Sequence, residues 1–144
     1  MSNIEIQSDV NLLRPVIRGL AQTWLKVITE DFGRHYPGLK STRITETWRS
    51  KERQAECCKI GTSKFPDGFH CYGMAWDFAC FDDRGALLTK GEHEYYAKCG
   101  LVAEALGLLW GGSWIRADWD HIQIRGMTLE QVKSGIKGGA IEPS

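Results

Sequence analysis

Two short stretches of this chain concentrate the residue types that hold metal ions. Of only four histidines in 144 residues, two lie in His70-Cys71-Tyr72-Gly73-Met74-Ala75-Trp76-Asp77 and Asp118-Trp119-Asp120-His121. A hydrolytic zinc site needs three neutral-nitrogen or carboxylate ligands, an open position for water and a nearby carboxylate to take that water's proton. The two segments together supply that set. Two imidazoles and one carboxylate favour zinc, although they accept other first-row ions.

Spacing limits how these side chains can meet. His70 and Asp77 are seven residues apart, an odd step that puts them on opposite faces of a straight strand, so a bend at Tyr72-Gly73 is required and Gly73 permits it. In Gly73 to Phe78 the period-2 rule sets bulky Met74, Trp76 and Phe78 on one face. Gly73, Ala75 and Asp77 form the other, nearly bare face, open to a metal and a substrate backbone. A turn over Trp119-Asp120 brings Asp118 to the same cavity as His121. Asp118 is preferred over Asp120 as the free acid because neighbouring strand residues point to opposite faces. Spacing alone leaves that choice open.

The elements that must position these segments alternate irregularly. Leu12, Val16, Leu20, Trp24 and Ile28 recur at a four-residue step from Leu12 to Phe32, which predicts a packing helix with Pro15 in its first turn and a stop at Gly33 and Pro37-Gly38. Arg43 to Trp48 reads as a strand, with Ile44, Glu46 and Trp48 opposite Thr45 and Thr47. Ser50 caps a short helix from Lys51 to about Ile60, closed by Gly61. Thr62 to Phe69 is loop. After the strand containing Asp77, the Asp82-Asp83-Arg84-Gly85 turn predicts a hairpin into Ala86 to Thr89.

A helix from Glu92 to Leu106 turns Tyr95, Cys99, Val102 and Leu106 inward and ends at Gly107. The last strand, His121 to Arg125, faces Ile122 and Ile124 to the core and His121 and Gln123 away. Thr128 and Gln131 have capping-box spacing for a closing helix to about Lys137. This mixture argues for an α+β domain with a small antiparallel sheet flanked by helices. One domain over residues 1–137 and a flexible tail over 138–144 are expected.

Composition removes several function classes. Lys plus Arg and Asp plus Glu are 18 each, 42% of residues are hydrophobic and 25% are charged. No positive excess draws nucleic acid, and no stretch approaches the roughly 20 apolar residues of a membrane span. Residues 1–9 lack a basic, apolar secretory leader, so a cytoplasmic origin is expected. Dinucleotide, P-loop and serine-hydrolase signatures are missing. Five cysteines, Cys57, Cys58, Cys71, Cys80 and Cys99, without C-x-x-C spacing, read as reduced and mostly buried thiols. Cys71, beside a possible ligand, is the exception to watch. Trp110, Trp114 and Trp119 line a groove or fill the core, and His35 and His93 receive no role.

On these residues the chain resembles the zinc D-alanyl-D-alanine carboxypeptidase and L-alanyl-D-glutamate endopeptidase family, which includes small bacteriophage endolysins. His70, Gly73, Ala75 and Asp77 match its first block, and Asp118 and His121 its second. Trp48-Arg49-Ser50 with Gln54 is similar to its aromatic-Arg-Ser strand end and Gln-bearing helix, and Trp110 to Trp114 to its aromatic-Gly-Gly-x-Trp. The resemblance runs from about Thr42 to Gln123. Gly68 stands where the family usually has serine, and Ser63 lies too far upstream to replace it.

The resemblance implies a hedgehog-like metallopeptidase fold, Zn²⁺ held by His70, Asp77 and His121, and Asp118 as general base. It implies that Arg49 holds a substrate carboxylate or oxyanion, with Gln54 and Trp114 contacting substrate. The expected function is cleavage of peptidoglycan stem peptides by a monomeric phage endolysin of the L-alanyl-D-glutamate type. Such an enzyme is made in the cytoplasm of the infected host and acts on the wall after release. The alternatives are a D-alanyl-D-alanine carboxypeptidase or dipeptidase, a zinc-containing wall-binding module without turnover, and a metal-free structural protein of a phage particle.

Overall fold

The computed structural model describes residues 4–35, 39–89 and 93–143. Four helices, α1 (Pro15–His35), α2 (Lys51–Lys59), α3 (His93–Ala105) and α4 (Leu129–Lys137), accompany four strands, β1 (Leu39–Glu46), β2 (Ala75–Asp82), β3 (Leu108–Trp110) and β4 (His121–Ile124). The strands form one antiparallel sheet in the order β1-β2-β4-β3. The α+β class with an antiparallel sheet is therefore the observed one.

One face of the sheet builds the core. Met74, Trp76, Phe78 and Cys80 are buried there with Ile122 and Leu108, under α1 and α3. Trp24 of α1 meets Trp76 and Phe78 edge-on, with ring centroids 5.6 and 5.1 Å apart, and its indole N–H donates to the Cys99 carbonyl at 2.9 Å. Edge-to-face aromatic contacts with a satisfied N–H fix the helix on the sheet. The opposite face carries the chemistry: Asp77 pairs across β2 and β4 with His121, and Glu46 pairs across β1 and β2 with Asp77.

Several elements differ from the sequence expectation. The buried stripe of α1 is Ile17, Ala21, Trp24 and Ile28, continued by Leu13 just ahead of the helix, while Val16 is exposed. A strict four-residue step drifts about 40° per turn around a helix of 3.6 residues per turn, so the face needs a three-residue step, which Ala21 to Trp24 provides. The inner side of α3 is Tyr96, Cys99 and Ala103, one step from the predicted Tyr95 and Val102.

β1 ends at Glu46, and β3 was not legible because its three residues are too short to alternate. The segment expected to be a loose tail is tied down. Ile141 belongs to the core, its N–H donates to the Gly135 carbonyl at 3.0 Å, and Arg14 donates to the Glu142 carbonyl. The predicted stop at Pro37-Gly38 and the start at Glu92 lie outside the described residues. Among the described residues no helix is long and apolar enough to cross a membrane.

Candidate metal centre

The bend that sequence spacing demands is present. Phe69–Tyr72 forms a single 3-10 turn, and Gly73 follows it at φ 67°, ψ 28°, the left-handed region that favours glycine. A Cβ on Gly73 would lie 3.0 Å from the Leu12 carbonyl, so the position is closed to other residues by space as well as by conformation. Arg14 clasps the bend: its backbone N–H donates to the Gly73 carbonyl at 3.0 Å and its Nε to the Tyr72 carbonyl at 2.7 Å. The turn lifts His70 back over β2 toward Asp77.

His70, Asp77 and His121 thereby meet, each offering one ligand atom within 4.8 Å of the others. Oδ1 of Asp77 lies 3.1 Å from Nε2 of His70 and 3.0 Å from Nδ1 of His121. The far side of each ring is also occupied. Nδ1 of His70 is 2.7 Å from the Thr47 carbonyl, and Nε2 of His121 is 2.9 Å from Oε1 of Gln123. An oxygen that only accepts forces the facing ring nitrogen to donate, so in the neutral rings Nε2 of His70 and Nδ1 of His121 carry lone pairs. Two lone pairs aimed at one carboxylate oxygen are stable only around a proton or a cation. The donor set therefore fits a divalent ion, with each imidazole oriented from behind as metal-binding histidines usually are.

Electrostatics agree with that reading. Burial by itself would raise the Asp77 carboxyl, but the imidazoles of His70 and His121 outweigh it and hold it far below the usual carboxylate range. For His121, burial pulls downward, yet the Asp77 hydrogen bond and charge prevail and raise it above 6.5, with Asp118 adding to the effect. Asp118 thus stands close enough to His121 to be felt by its ring.

Arg49 is 3.3 Å from Oδ2 of Asp77, the oxygen turned away from most of the ligand set. Its Nε donates to Glu46 at 2.9 Å and its Nη1 to Oε1 of Gln54 at 3.2 Å; Glu46 also receives Arg53 at 3.0 Å. Burial lowers the Arg49 pKa, but Asp77 and Glu46 raise it on balance, so the guanidinium stays charged.

A cleft of about 760 Å³ opens over these groups. Arg49, Gln54, His70, Asp77, Trp114, Asp118 and His121, every residue expected at the site, line it, and so does Asp120. Trp114 leans its ring over His121, with centroids 5.5 Å apart. Gln54 is only 2% exposed, and both ends of its amide are engaged within the protein. Cys71 stays outside the ligand cluster; burial raises its thiol, and all five cysteines are free. Ser63 bonds to Gln54 and the Phe65 backbone, away from His70, so it does not fill the place of the family serine.

Three supporting groups escaped the sequence reading. Thr47 acts through its backbone carbonyl, which no residue type announces. Gln123 lies on the face that strand alternation gives it, but its bond to a ring two positions away is not encoded in that pattern. Glu46 became recognisable only from the register that seats it beside Asp77.

Comparison with known proteins bears out the resemblance. Residues 62–124 match the model of a family described as D-alanyl-D-alanine carboxypeptidase, and that span contains His70, Asp77, Asp118 and His121. The chain is 30% identical over 98 residues to the peptidoglycan L-alanyl-D-glutamate endopeptidase CwlK of Bacillus subtilis (strain 168), covering 56% of this chain and 59% of that protein. The match thus spans less than two thirds of the curated relative. The crystal structure of the L-Ala D-Glu endopeptidase ChiX of Serratia marcescens superposes with a TM-score of 0.60 at 24% identity, covering 80% of this chain and 82% of that one. That likeness identifies the fold as the one ChiX adopts.

Proposed function

We propose that the chain is a zinc-dependent peptidoglycan endopeptidase of the L-alanyl-D-glutamate type. The observation that carries this reading is the convergence of Nε2 of His70, Nδ1 of His121 and Oδ1 of Asp77, with Asp118 lining the same cleft. The names of CwlK and ChiX support the choice of bond. A zinc ion held there would polarise the scissile carbonyl and lower the pKa of a water toward about 7. Asp118 accepts the proton of the attacking water and returns it to the leaving amine nitrogen. Arg49 keeps the Asp77 carboxylate turned toward the imidazoles and lends positive charge to the cleft floor. Trp114 shields His121 and offers an apolar wall to the substrate. One chain supplies all of these groups, so a monomer suffices.

Digestion of purified peptidoglycan by the zinc-loaded protein tests the reading. Cleavage between alanine and glutamate exposes new D-glutamate amino termini. A second reading, D-alanyl-D-alanine carboxypeptidase, is favoured by the family description; release of free D-alanine alone would establish it instead. As a phage lysis enzyme, the protein would leave cells intact when expressed in the bacterial cytoplasm and dissolve their walls once the membrane is permeabilised. Lysis without permeabilisation would remove that role.

A further inference from the structure

Phe65 is a large apolar side chain left 69% exposed on the wall of the cleft that holds His70 and His121. A single exposed hydrophobic residue is ordinary on a protein surface. What is unusual here is how firmly its backbone is held. The Phe65 carbonyl accepts Nε2 of Gln54 at 2.7 Å, Sγ of Cys58 at 3.0 Å and Oγ of Ser63 at 3.3 Å. Its N–H donates to Oγ of Ser63 at 3.4 Å. Two residues on, Asp67 accepts the Tyr72 hydroxyl at 3.0 Å and Lys133 at 3.3 Å, which fastens the other end of the loop.

Gln54 is the centre of this arrangement. Its Nε2 holds the loop, while its Oε1 accepts Nη1 of Arg49, whose Nη2 reaches Oδ2 of Asp77. A continuous set of hydrogen bonds therefore runs from the carboxylate of the ligand cluster to the backbone of the exposed phenylalanine. Gln54, at the cleft wall, is 2% exposed and has its amide engaged at both ends, whereas the ring it supports is open to solvent. Main chain held by several hydrogen bonds, one of them from the buried Gln54, beneath an uncovered aromatic ring is an arrangement that fixes a contact surface in advance, so that less ordering is lost on binding.

We infer that Phe65 is a substrate-contacting, specificity-determining residue and that Gln54 is the positioning residue acting through it. This rests on the peptidase reading. The ring, with Trp114 elsewhere on the cleft lining, receives the aliphatic part of the stem peptide next to the cleaved bond. Its partner is thus a short peptide with small apolar side chains.

The test uses the full zinc-loaded chain and a soluble muramyl peptide. It compares F65A, F65L and Q54E, with L101A, at an exposed position of α3 outside the cleft lining, as a control. For F65A the KM rises about tenfold while zinc content and melting temperature hold, F65L recovers most of the loss, and L101A matches the parent. Q54E retains an oxygen for Arg49 but loses the donor to Phe65, so backbone amides of residues 63–68 exchange hydrogen faster and KM rises toward the F65A value. Peptide binding to D118N reads the same contact without turnover, and F65A in that background weakens it about tenfold. Turnover in the parent with an unchanged KM and affinity in F65A would overturn the role of Phe65 and leave the peptidase reading intact. A parent that neither binds nor cleaves the peptide would overturn both.

Discussion

Nη2 of Arg49 lies 3.3 Å from Oδ2 of Asp77, while the other oxygen of that carboxylate faces both imidazoles. The guanidinium therefore decides which way the only carboxylate in the ligand cluster points. Arg49→Lys keeps the charge but loses the planar fork that grips Glu46, Gln54 and Asp77 at once. Zinc affinity, measured by competition with a chelating dye, should fall about 10- to 100-fold. Unchanged affinity with lost hydrolysis would assign Arg49 to the substrate rather than to Asp77.

Asp118 and the ligands should separate cleanly in mutagenesis. Asp118→Asn removes the proton acceptor, and wall hydrolysis should drop by about 10²- to 10⁴-fold with zinc retained in elemental analysis. His70→Ala and His121→Ala should lose the metal as well as the activity. Asp120→Asn is the control for the base; if it, rather than Asp118→Asn, abolishes turnover, the assignment moves two residues.

The shifts at Asp77 and His121 make the metal-free protein's stability depend on pH in two directions. Asp77 is lowered on folding, so its contribution is present above its ordinary value of 3.8 and is lost as pH falls through the lower folded value. His121 is raised on folding, so its contribution is complete below its ordinary value of 6.5 and is lost as pH climbs through the folded value. Through these two groups, the metal-free chain should be most stable between those values. Zinc competes with the His121 proton, so its affinity should rise with pH, and binding should release a proton at pH values below the raised His121 value. Calorimetry in buffers of different ionisation enthalpy measures that release.

Trp110 is wedged where Cβ atoms on Gly100 and Gly112 would strike its indole, and its N–H donates to the Trp119 carbonyl at 2.9 Å. Gly100→Ala should cost about 1–3 kcal/mol in denaturant unfolding. It should also impair hydrolysis, because the same indole braces the segment carrying Asp118. A variant as stable as the parent would show that the ring can shift freely.

Gly68, at φ −173°, has ordinary extended backbone and open space around a built Cβ. Gly68→Ser should therefore fold normally and gain roughly 0.5 kcal/mol by restricting the unfolded chain. Thermal denaturation checks this, and a loss of stability would contradict the open geometry.

Much of this site was legible because its ligands come from types and spacings with few other uses. The odd step from His70 to Asp77 demanded a bend, and Gly73 supplies it. The capping residues Ser50 and Thr128 marked their helices through local hydrogen bonds, which depend on only a few neighbouring residues. What was not legible depends on contacts between distant segments. The core face of α1 is chosen by the sheet beneath it, and Ile141 is held by a gap over Gly135 that no local pattern reveals. The Thr47 carbonyl and the Glu46 carboxylate earn their roles from strand register alone.

The strand register has a last consequence. Asp77 and His121 are direct partners across β2 and β4, yet 44 positions of chain separate them, and β4 comes last in chain order among the described strands. A chain that has not yet delivered β4 holds two of the three groups, His70 and Asp77, and lacks the His121 imidazole. Slippage by one residue between these strands would turn Asp77 away from His121, because the side-chain period is two. A cation gripped by all three groups would therefore report that β2 and β4 are aligned in the correct register.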